Sequence, residues 1–270
     1  MILFPNAKIN IGLHVGPRRD DGFHDLWTVF WPVDWCDILE ITPAQGDETT
    51  LTVTGRPVMC PPYDNLVYRA WEKIDSQFHI GPVDIHLRKI IPEQAGLGGG
   101  SSDASFTLIG LNRMFALGLS EAELAEIALS LGADCPFFIY NRPMSATGKG
   151  EIFGPLPDVP LPFPVDNSLI AIVKPNISIS TGQAFADLDN ELSQRPEGLW
   201  VNHFEAAVAK RHPVIADIVE TLLDMGALYA SMSGSGSAVY AIFPDSFTGL
   251  KERLEAVFAD CEIYSGPFRK

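Results

Sequence analysis

The stretch Pro92-Glu93-Gln94-Ala95-Gly96-Leu97-Gly98-Gly99-Gly100-Ser101-Ser102-Asp103-Ala104 holds four glycines within five residues, and a pattern typical of a helix follows it. Glycine tolerates positive φ and lets backbone amides approach an anion with no side chain in between. The first turn of a helix adds unpaired N–H groups and the positive end of the helix dipole. The stretch therefore predicts a phosphate-binding loop over Pro92–Ser102.

Two familiar phosphate loops are excluded by their spacing. The motif GxxxxGK[ST] is absent, and a dinucleotide fingerprint that began at Gly96 would need glycine where Ser101 stands. The HRD and DFG signatures of protein kinases are absent as well. A flexible glycine linker is the alternative, but this segment runs from a predicted strand, Val83–Leu87, directly into a helix.

The overall charge is strongly acidic. The chain has 270 residues, with 19 Lys and Arg against 34 Asp and Glu, for a net charge of −15. This length predicts one large domain or two small ones. The charge counts against a protein that binds nucleic acid or an anionic membrane through a basic face. An anionic ligand would have to be held by local donors against a repulsive overall field.

The cysteines predict reduced thiols in a cytoplasmic protein. Cys36, Cys60, Cys135 and Cys261 are scattered, with no CxxC pair and no neighbouring His at zinc-ligand spacing. No signal or transit pattern is visible near Met1, and no run of 18 apolar residues predicts a membrane span.

Apolar patterning places strands and helices before the proline-rich segment. Helical spacing predicts helices over Asp64–Phe78 and Ser101–Phe115. A third begins at Ser120, which forms a capping box with Glu123, and ends at Gly132. Short apolar runs bounded by Gly, Pro and Asp predict strands at Ile9–Val15, Leu26–Val33, Ile38–Ile41, Leu51–Val53 and Val83–Leu87.

Five prolines between Gly154 and Asn167 predict the join between two domains, residues 1–154 and residues 155–270. After the join, the predicted order is strand 169–174, helical segments 181–188 and 204–225, strands 227–231 and 238–243, helix 247–259 and a final short strand. This βαββαβ order predicts an α+β layer with helices on one sheet face. A second glycine-serine turn, Ser231–Ser237, joins two of these strands; taken alone it favours a plain hairpin turn, and its value lies in accompanying the first loop.

Lys8, the loop Gly96–Ser102 and the turn Ser233–Gly236 together resemble the GHMP kinase superfamily, which includes galactokinase, homoserine kinase, mevalonate kinase and phosphomevalonate kinase. Within it, the chain is most similar to the branch that phosphorylates a cytidine-diphosphate-bearing sugar alcohol. The motifs that carry this closer likeness are Ala7-Lys8-Ile9-Asn10, Asp21-Gly22-Phe23-His24-Asp25-Leu26, Asp64-Asn65-Leu66-Val67-Tyr68-Arg69-Ala70, Leu131-Gly132-Ala133-Asp134-Cys135-Pro136-Phe137 and Gly148-Lys149-Gly150-Glu151.

The resemblance implies a two-domain α+β fold with the active site in a cleft between its halves. The N-terminal half would be ribosomal-protein-S5-domain-2-like, and the C-terminal half would be a ferredoxin-like βαββαβ layer. It also implies a phosphotransferase of the non-mevalonate isoprenoid route, with ATP and Mg²⁺ as cofactors. The partners would be small molecules only, and the chain a monomer or weak homodimer.

Two residues are expected to carry the chemistry. Phosphoryl transfer needs charge neutralisation and a base for the acceptor hydroxyl. The resemblance makes Asp134 that base, whereas composition alone favours a capping or turn aspartate. Lys8 lies in an otherwise uncharged segment and would keep the Asp134 carboxylate ionised and neutralise charge on the γ-phosphate. A surface lysine is the alternative for Lys8.

The remaining contacts are also implied by the resemblance. On the acceptor side, Asn10 would bind hydroxyls, and Phe23 and His24 would recognise the cytosine, with Phe23 standing where the family more usually has Tyr. Thr181 would contact the same substrate, although a helix N-cap is an equally good interpretation. On the ATP side are the loop residues Pro92–Ser102 and two further residues, Asn65 near the adenine and Lys89 near the phosphates.

Two other functions remain open at this stage. A GHMP kinase with another acceptor, such as homoserine or a mevalonate derivative, would have no base to stack against Phe23 and His24. A non-catalytic nucleotide sensor would have no use for Lys8 and Asp134 beside an intact loop.

Overall fold

The computed structural model describes residues 1–189 and 197–269, which form two compact units. The first unit comprises residues 1–7, 35–93 and 98–142. The second comprises residues 8–34 and 94–97 together with the described part of 143–270. Each unit is therefore assembled from several separate stretches of the chain.

Five strands come first along the described residues, and helices and further strands follow in short groups. The strands are β1 (Ile2–Leu3), β2 (Asn6–Arg18), β3 (His24–Cys36), β4 (Ile38–Pro43), β5 (Thr50–Gly55), β6 (Val83–Lys89), β7 (Met144–Gly148), β8 (Ile152–Gly154), β9 (Ser168–Lys174), β10 (Tyr229–Met232), β11 (Val239–Pro244) and β12 (Glu262–Pro267). The helices are α1 (Leu66–Phe78), α2 (Gly99–Met114), α3 (Glu121–Leu129), α4 (Cys135–Tyr140), α5 (Thr181–Asp189), α6 (His203–Arg211), α7 (Val214–Asp224) and α8 (Leu250–Val257).

The first unit is one sheet covered by helices. Its strand order is β1-β4-β6-β5, with β5 parallel to β6 and the other pairs antiparallel. Strand β6 alternates buried and solvent-facing residues over most of its length, which is the pattern of a strand with one covered face. The apolar side chains of β4 and β6 pack with those of α1, α2 and α3 in one core. This core holds in place α2, the helix that follows the glycine loop.

The second unit contains two sheets that share a core. One has the order β2-β3-β7-β8, and the other has the antiparallel order β10-β11-β9-β12. Numbered from β9 onward, the latter order is 2-3-1-4, the arrangement of a ferredoxin-like βαββαβ layer. Leu13 and Val15 of β2 join the apolar residues of β9, β11 and α5–α8 in a single cluster. The α+β class predicted from the sequence is confirmed.

Two of the predicted helix boundaries are wrong. Helix α3 ends at Leu129, with Ser130 as its C-cap, so Gly132 does not terminate it. The helical segment predicted over 204–225 is two helices, because Pro213 has no N–H and separates α6 from α7. The capping box of Ser120 and Glu123 is present as predicted.

The domain boundary predicted between residues 154 and 155 stays a prediction. The compact units differ from it, because residues 8–34 and 143–154 belong with the C-terminal residues in the second unit. Among the described residues, no helix has both the length and the apolar character needed to cross a membrane.

Leu108 tests the core of the first unit. It is completely buried on α2, whereas Leu129 at the end of α3 is 45% exposed. We expect Leu108→Ala to lower the free energy of unfolding by about 2–5 kcal/mol, because the cavity would add to the lost apolar transfer. Leu129→Ala should cost less than about 1 kcal/mol. Urea denaturation measures both, and equal losses would contradict this packing.

Candidate active site

Residues 94–97 of the glycine loop lie against the second glycine-serine turn, within the second unit. Gly96 has φ +74°, and a Cβ at this position would lie 1.9 Å from the carbonyl oxygen of Ser233. The Ser233 hydroxyl donates to the Gly96 carbonyl at 2.9 Å. The Ala238 amide donates to the Ala95 carbonyl at 3.1 Å. Two of the sequence blocks that carried the resemblance are therefore in direct contact.

The third block, around Lys8, joins them. The Lys8 amide donates to the Leu97 carbonyl at 2.9 Å, and the Asn10 amide donates to the Ser233 hydroxyl at 3.2 Å. The Lys8 ammonium donates to Asn10 Oδ1 at 2.6 Å, and Asn10 Nδ2 donates to Thr28 at 3.0 Å. Lys8 and Asn10 are thus on the same side of β2, as their spacing predicts.

Lys8 is a buried cation. It is 4% exposed, and its Nζ lies 4.9 Å from the centre of the Phe30 ring. Burying an ammonium is costly unless it is bonded, and the Asn10 amide and the ring face offset part of that cost. The alternative of a surface lysine is wrong.

The first turn of α6 holds the glycine-serine turn. Asn202 Oδ1 accepts from the Phe204 amide at 2.9 Å, while its Nδ2 donates to the carbonyls of Met232 at 2.7 Å and Gly234 at 2.8 Å. Glu205 Oε2 accepts from the Met232 amide at 2.6 Å and from the Ser231 hydroxyl at 2.8 Å.

Burial raises the pKa of the Glu205 carboxyl, and the hydrogen bonds that it accepts from Met232 and Ser231 partly offset this rise. Neither Asn202 nor Glu205 was selected from the sequence.

His24 is buried against aromatic side chains of the second unit. Its ring stacks on Phe185 with 5.0 Å between centroids and 21° between planes. Nδ1 lies 3.0 Å from the carbonyl oxygen of Gly16, which can only accept, so Nδ1 carries a proton. Nε2 lies 3.5 Å from Asp189 Oδ2. The imidazole is therefore fixed in both position and orientation.

Phe23, next to it, is exposed. Its side chain is 52% accessible, and the Lys149 ammonium lies 3.5 Å from the centre of its ring. The Phe23 amide donates to Asp21 at 3.1 Å, which ties the backbone of this turn. Lys149 comes from one of the motifs that carried the resemblance, so the structure brings two of those motifs together.

Thr181 is the first residue of α5, and its hydroxyl lies 3.1 Å from that of Ser235. The Gln183 amide donates its capping bond to the Ser180 hydroxyl instead. The N-cap interpretation of Thr181 is therefore wrong, and its side chain faces the glycine-serine turn.

In the first unit, the loop continues into α2. Gly98 is the N-cap of this helix with φ +70°, a conformation that glycine adopts without strain. Ser102 follows in the first turn, fully buried, and its Oγ makes no hydrogen bond to the described residues. Such an orphaned hydroxyl at a helix N-terminus is a donor available to an anion.

Lys89 is held by two carboxylates at the end of β6. Its ammonium donates to Asp37 Oδ2 at 2.5 Å and to Asp103 Oδ2 at 2.7 Å. Asp37 Oδ1 also accepts from the amides of Ile90 and Ile91. All three charged side chains are at most 3% exposed. This buried triad fixes the strand end before the loop and the helix start after it, and the phosphate contact predicted for Lys89 stays a prediction.

The triad has two carboxyl groups and one ammonium. Burial raises the pKa of Asp103 to about 8; Lys89 opposes this rise, and the second carboxylate, Asp37, adds to it. Burial lowers the pKa of Lys89, but the charges of Asp103 and Asp37 outweigh it and the net direction is upward. The cation therefore persists at neutral pH, and one carboxyl holds its proton far above the usual range.

Asp134 is the N-cap residue of α4, but its side chain makes no capping bond to that helix. It is half-buried and lies in the turn that the Cys135 amide closes by donating to the Gly132 carbonyl at 3.1 Å. The capping interpretation is wrong for its carboxylate. The role of base stays a prediction.

Asn65 lines a cleft of about 330 Å³ in the first unit. Its Oδ1 accepts from the Val67 amide at 2.9 Å and caps α1. The apolar part of the lining includes Leu51, Val53 and Val58, beside Cys60. A cleft with apolar walls and a few polar groups is the usual form of a small-ligand site.

Two family models match the chain. The model for the GHMP kinases N terminal domain matches residues 65–142, and that for the GHMP kinases C terminal matches residues 175–260. The chain belongs to the GHMP kinase family. It is therefore a phosphotransferase, and as a GHMP kinase it uses ATP.

Similar proteins place it within that family. A Bacteroides thetaiotaomicron protein named 4-diphosphocytidyl-2-C-methyl-D-erythritol kinase is 46% identical over 257 residues, which cover 90% of this chain and 92% of that one. A Porphyromonas gingivalis protein of the same name is 43% identical and covers 97% of both chains. The branch of the GHMP kinases predicted from the sequence motifs is confirmed.

Solved structures agree with the fold. A crystal structure of 4-(cytidine 5'-diphospho)-2C-methyl-D-erythritol kinase superposes with a TM-score of 0.77 at 30% identity, over 98% of both chains. The Methanococcus jannaschii mevalonate kinase has a TM-score of 0.68 at 14% identity, covering 100% of this chain and 98% of that one, and shows the fold alone. The two-half GHMP kinase fold predicted from the sequence is confirmed.

The sequence interpretation missed several residues of this GHMP kinase. Phe185 lies on an apolar helix face, where it cannot be told from a core residue by periodicity. Asp37 is a single acid after an apolar strand. Asn202 and Glu205 have the spacing of a capping box, which was the available signal. Gln94 takes φ +50°, so the loop accepts a left-handed residue other than glycine at that position.

Asp103 makes stability depend on pH. Its folded pKa of about 8 lies above the unfolded value of 3.8, so the folded chain binds more protons between these values. Its stabilising contribution is complete below about pH 4 and is lost as pH rises through about 8. Asp103→Asn should remove a slope of at most about 1.4 kcal/mol per pH unit.

Urea denaturation between pH 5 and 9 measures this slope. Asp224→Asn, at the exposed end of α7, is the matched control and should keep the wild-type dependence. Identical slopes in the wild type and Asp103→Asn would contradict the raised pKa.

Proposed function

We propose that the chain transfers the γ-phosphate of ATP to the 2-hydroxyl of 4-diphosphocytidyl-2-C-methyl-D-erythritol, in the non-mevalonate route to isoprenoid precursors. The names of its relatives support this acceptor. The cytoplasmic location and the monomeric or weakly dimeric state stay predictions.

The observation that carries the proposal is the exposed ring of Phe23 beside the buried His24. The Phe23 ring offers a flat surface for a base, and His24, stacked on Phe185 and bonded to the Gly16 carbonyl, fixes the chain next to it. Aromatic stacking with edge contacts is how proteins bind single bases. Lys149, over the Phe23 ring, brings a cation to the same turn. A cytidine diphosphate has both a base and an anion, whereas homoserine and mevalonate have no base.

Asp134 would accept the proton of the acceptor hydroxyl as the new P–O bond forms. A side chain that is half-buried and not engaged in capping α4 suits this role. Lys8 would neutralise charge on the transferred group, since its ammonium is buried and cannot be replaced by mobile ions. Asn10, bonded to Lys8, would orient both the ammonium and the hydroxyls of the acceptor.

ATP would be held mainly by uncharged donors. The loop Pro92–Ser102 supplies backbone amides, Asn65 lines the cleft that fits the adenine, and Ser101 and Ser102 supply hydroxyls. The orphaned Ser102 hydroxyl fits Mg²⁺ or a phosphate oxygen. When bound, Mg²⁺ would neutralise charge on the phosphate oxygens.

A panel of acceptors tests the proposed substrate. We expect 4-diphosphocytidyl-2-C-methyl-D-erythritol to give a kcat/KM about 100-fold or more above those of homoserine and mevalonate, because only it has a base to stack on Phe23. Coupled ADP release measures each rate. A preference for another acceptor would refute the substrate assignment, and ATP binding without any transfer would favour the sensor.

Asp134→Asn tests the base. General-base catalysis contributes about 10²- to 10⁴-fold, so kcat should fall by that factor while ATP affinity is kept. Asp224→Asn, which also removes one carboxylate, should retain the wild-type kcat. Wild-type turnover in Asp134→Asn would remove Asp134 from this role.

A further inference from the structure

We propose that Asn202 and Glu205 are positioning residues, which hold the turn Ser231–Ser237 in the shape that brings Ser233 onto the glycine loop. The inference rests on the proposed kinase function. The side-chain hydrogen bonds described for these two residues reach the turn and α6, so both act on the loop through the turn.

The side-chain amide of Asn202 binds α6 through its oxygen and the turn through its nitrogen. Its oxygen caps α6 through the Phe204 amide, and its nitrogen donates to the carbonyls of Met232 and Gly234. A helix cap needs only the acceptor end, which Asp, Ser or Thr would supply equally well. The donor end is therefore used only by the turn. Asn202 is 3% exposed, so no water replaces these bonds without a rearrangement.

Glu205 holds the turn at Met232, the residue whose carbonyl Asn202 also binds. Its Oε2 accepts from the Met232 amide and the Ser231 hydroxyl. Asn202 takes the carbonyl of Met232, so both polar backbone groups of this residue are bonded to the first turn of α6. The buried carboxyl group is desolvated, and these two bonds offset that cost; an apolar residue here would leave the Met232 amide and the Ser231 hydroxyl without them.

Ser233 is the residue that these bonds fix from both sides, since Met232 precedes it and Gly234 follows it. Its hydroxyl accepts from the Asn10 amide and donates to the Gly96 carbonyl. Asn10 in turn accepts from the Lys8 ammonium. Asn202 and Glu205 thus position the Ser233 hydroxyl, which bonds both the loop and the strand that carries Lys8.

Asn202→Asp separates the two tasks of residue 202. The aspartate keeps the cap acceptor for α6 but presents an oxygen to two carbonyl oxygens, so the turn should be released while the helix remains. We expect kcat per folded molecule to fall about 10- to 100-fold, because displacement of a positioned group costs this much. Amide hydrogen exchange should become faster in residues 232–237 and stay unchanged in α6.

Glu205→Gln and Glu205→Ala give a second comparison that does not depend on Asn202. A glutamine oxygen can accept both bonds, so Glu205→Gln should retain most of the wild-type kcat. Glu205→Ala should lose it and should also speed exchange in the turn. The control is Ser120→Ala, which removes the cap of α3 in the first unit and should lower the melting temperature without changing kcat per folded molecule.

Unchanged exchange in the turn of Asn202→Asp, or equal losses of kcat in Glu205→Gln and Glu205→Ala, would overturn the proposal. Folded fraction from near-ultraviolet circular dichroism separates positioning from loss of structure. If the wild type transfers no phosphate to the cytidine-diphosphate acceptor, the proposed function fails, while hydrogen exchange still decides whether the two side chains hold the turn.

Discussion

The contact between Gly96 and Ser233 is the constraint on which the second unit's site depends. The Ser233 carbonyl oxygen occupies the space that a Cβ of residue 96 would need. Two backbone segments 137 residues apart are therefore in van der Waals contact. Such proximity requires glycine at position 96 and fixes the turn against the loop. The hydroxyl of Ser233, the amide of Asn10 and the ammonium of Lys8 then follow in one hydrogen-bonded series.

Local features of this structure could be predicted from the sequence, and long-range partners could not. The capping box at Ser120 and the strands around Ile9 and Val83 depend on residues a few positions apart, so pattern and propensity suffice for them. The βαββαβ order gave the class of the second half for the same reason. The contacts of a turn are set by tertiary packing. A glycine-serine hairpin has the same sequence whether or not it contacts a second loop.

Side chains with two possible uses were the hardest to interpret. Glu205 has the spacing of a capping-box acid, yet its carboxylate binds Ser231 and Met232. Lys89 looks like a cation for phosphate, and the structure surrounds it with two acids brought from positions 37 and 103. In both cases the deciding partner lies far away in the chain. The net charge of −15 counts against a polyanionic partner but says little about a small anionic ligand, because a few buried cations and backbone donors can act over short distances.

The interleaving of the two units has a consequence for synthesis on the ribosome. Every stretch of the first unit has been made once residue 142 is added, whereas β2 and β3 belong to a core whose other members lie in residues 143–270. Leu13 and Val15 are made more than 100 residues before the apolar residues of β9, β11 and α5–α8 that cover them. At the usual rate of chain elongation this delay is on the order of ten seconds. During that time β2 and β3 must stay unaggregated, although every residue of the first unit has already been made.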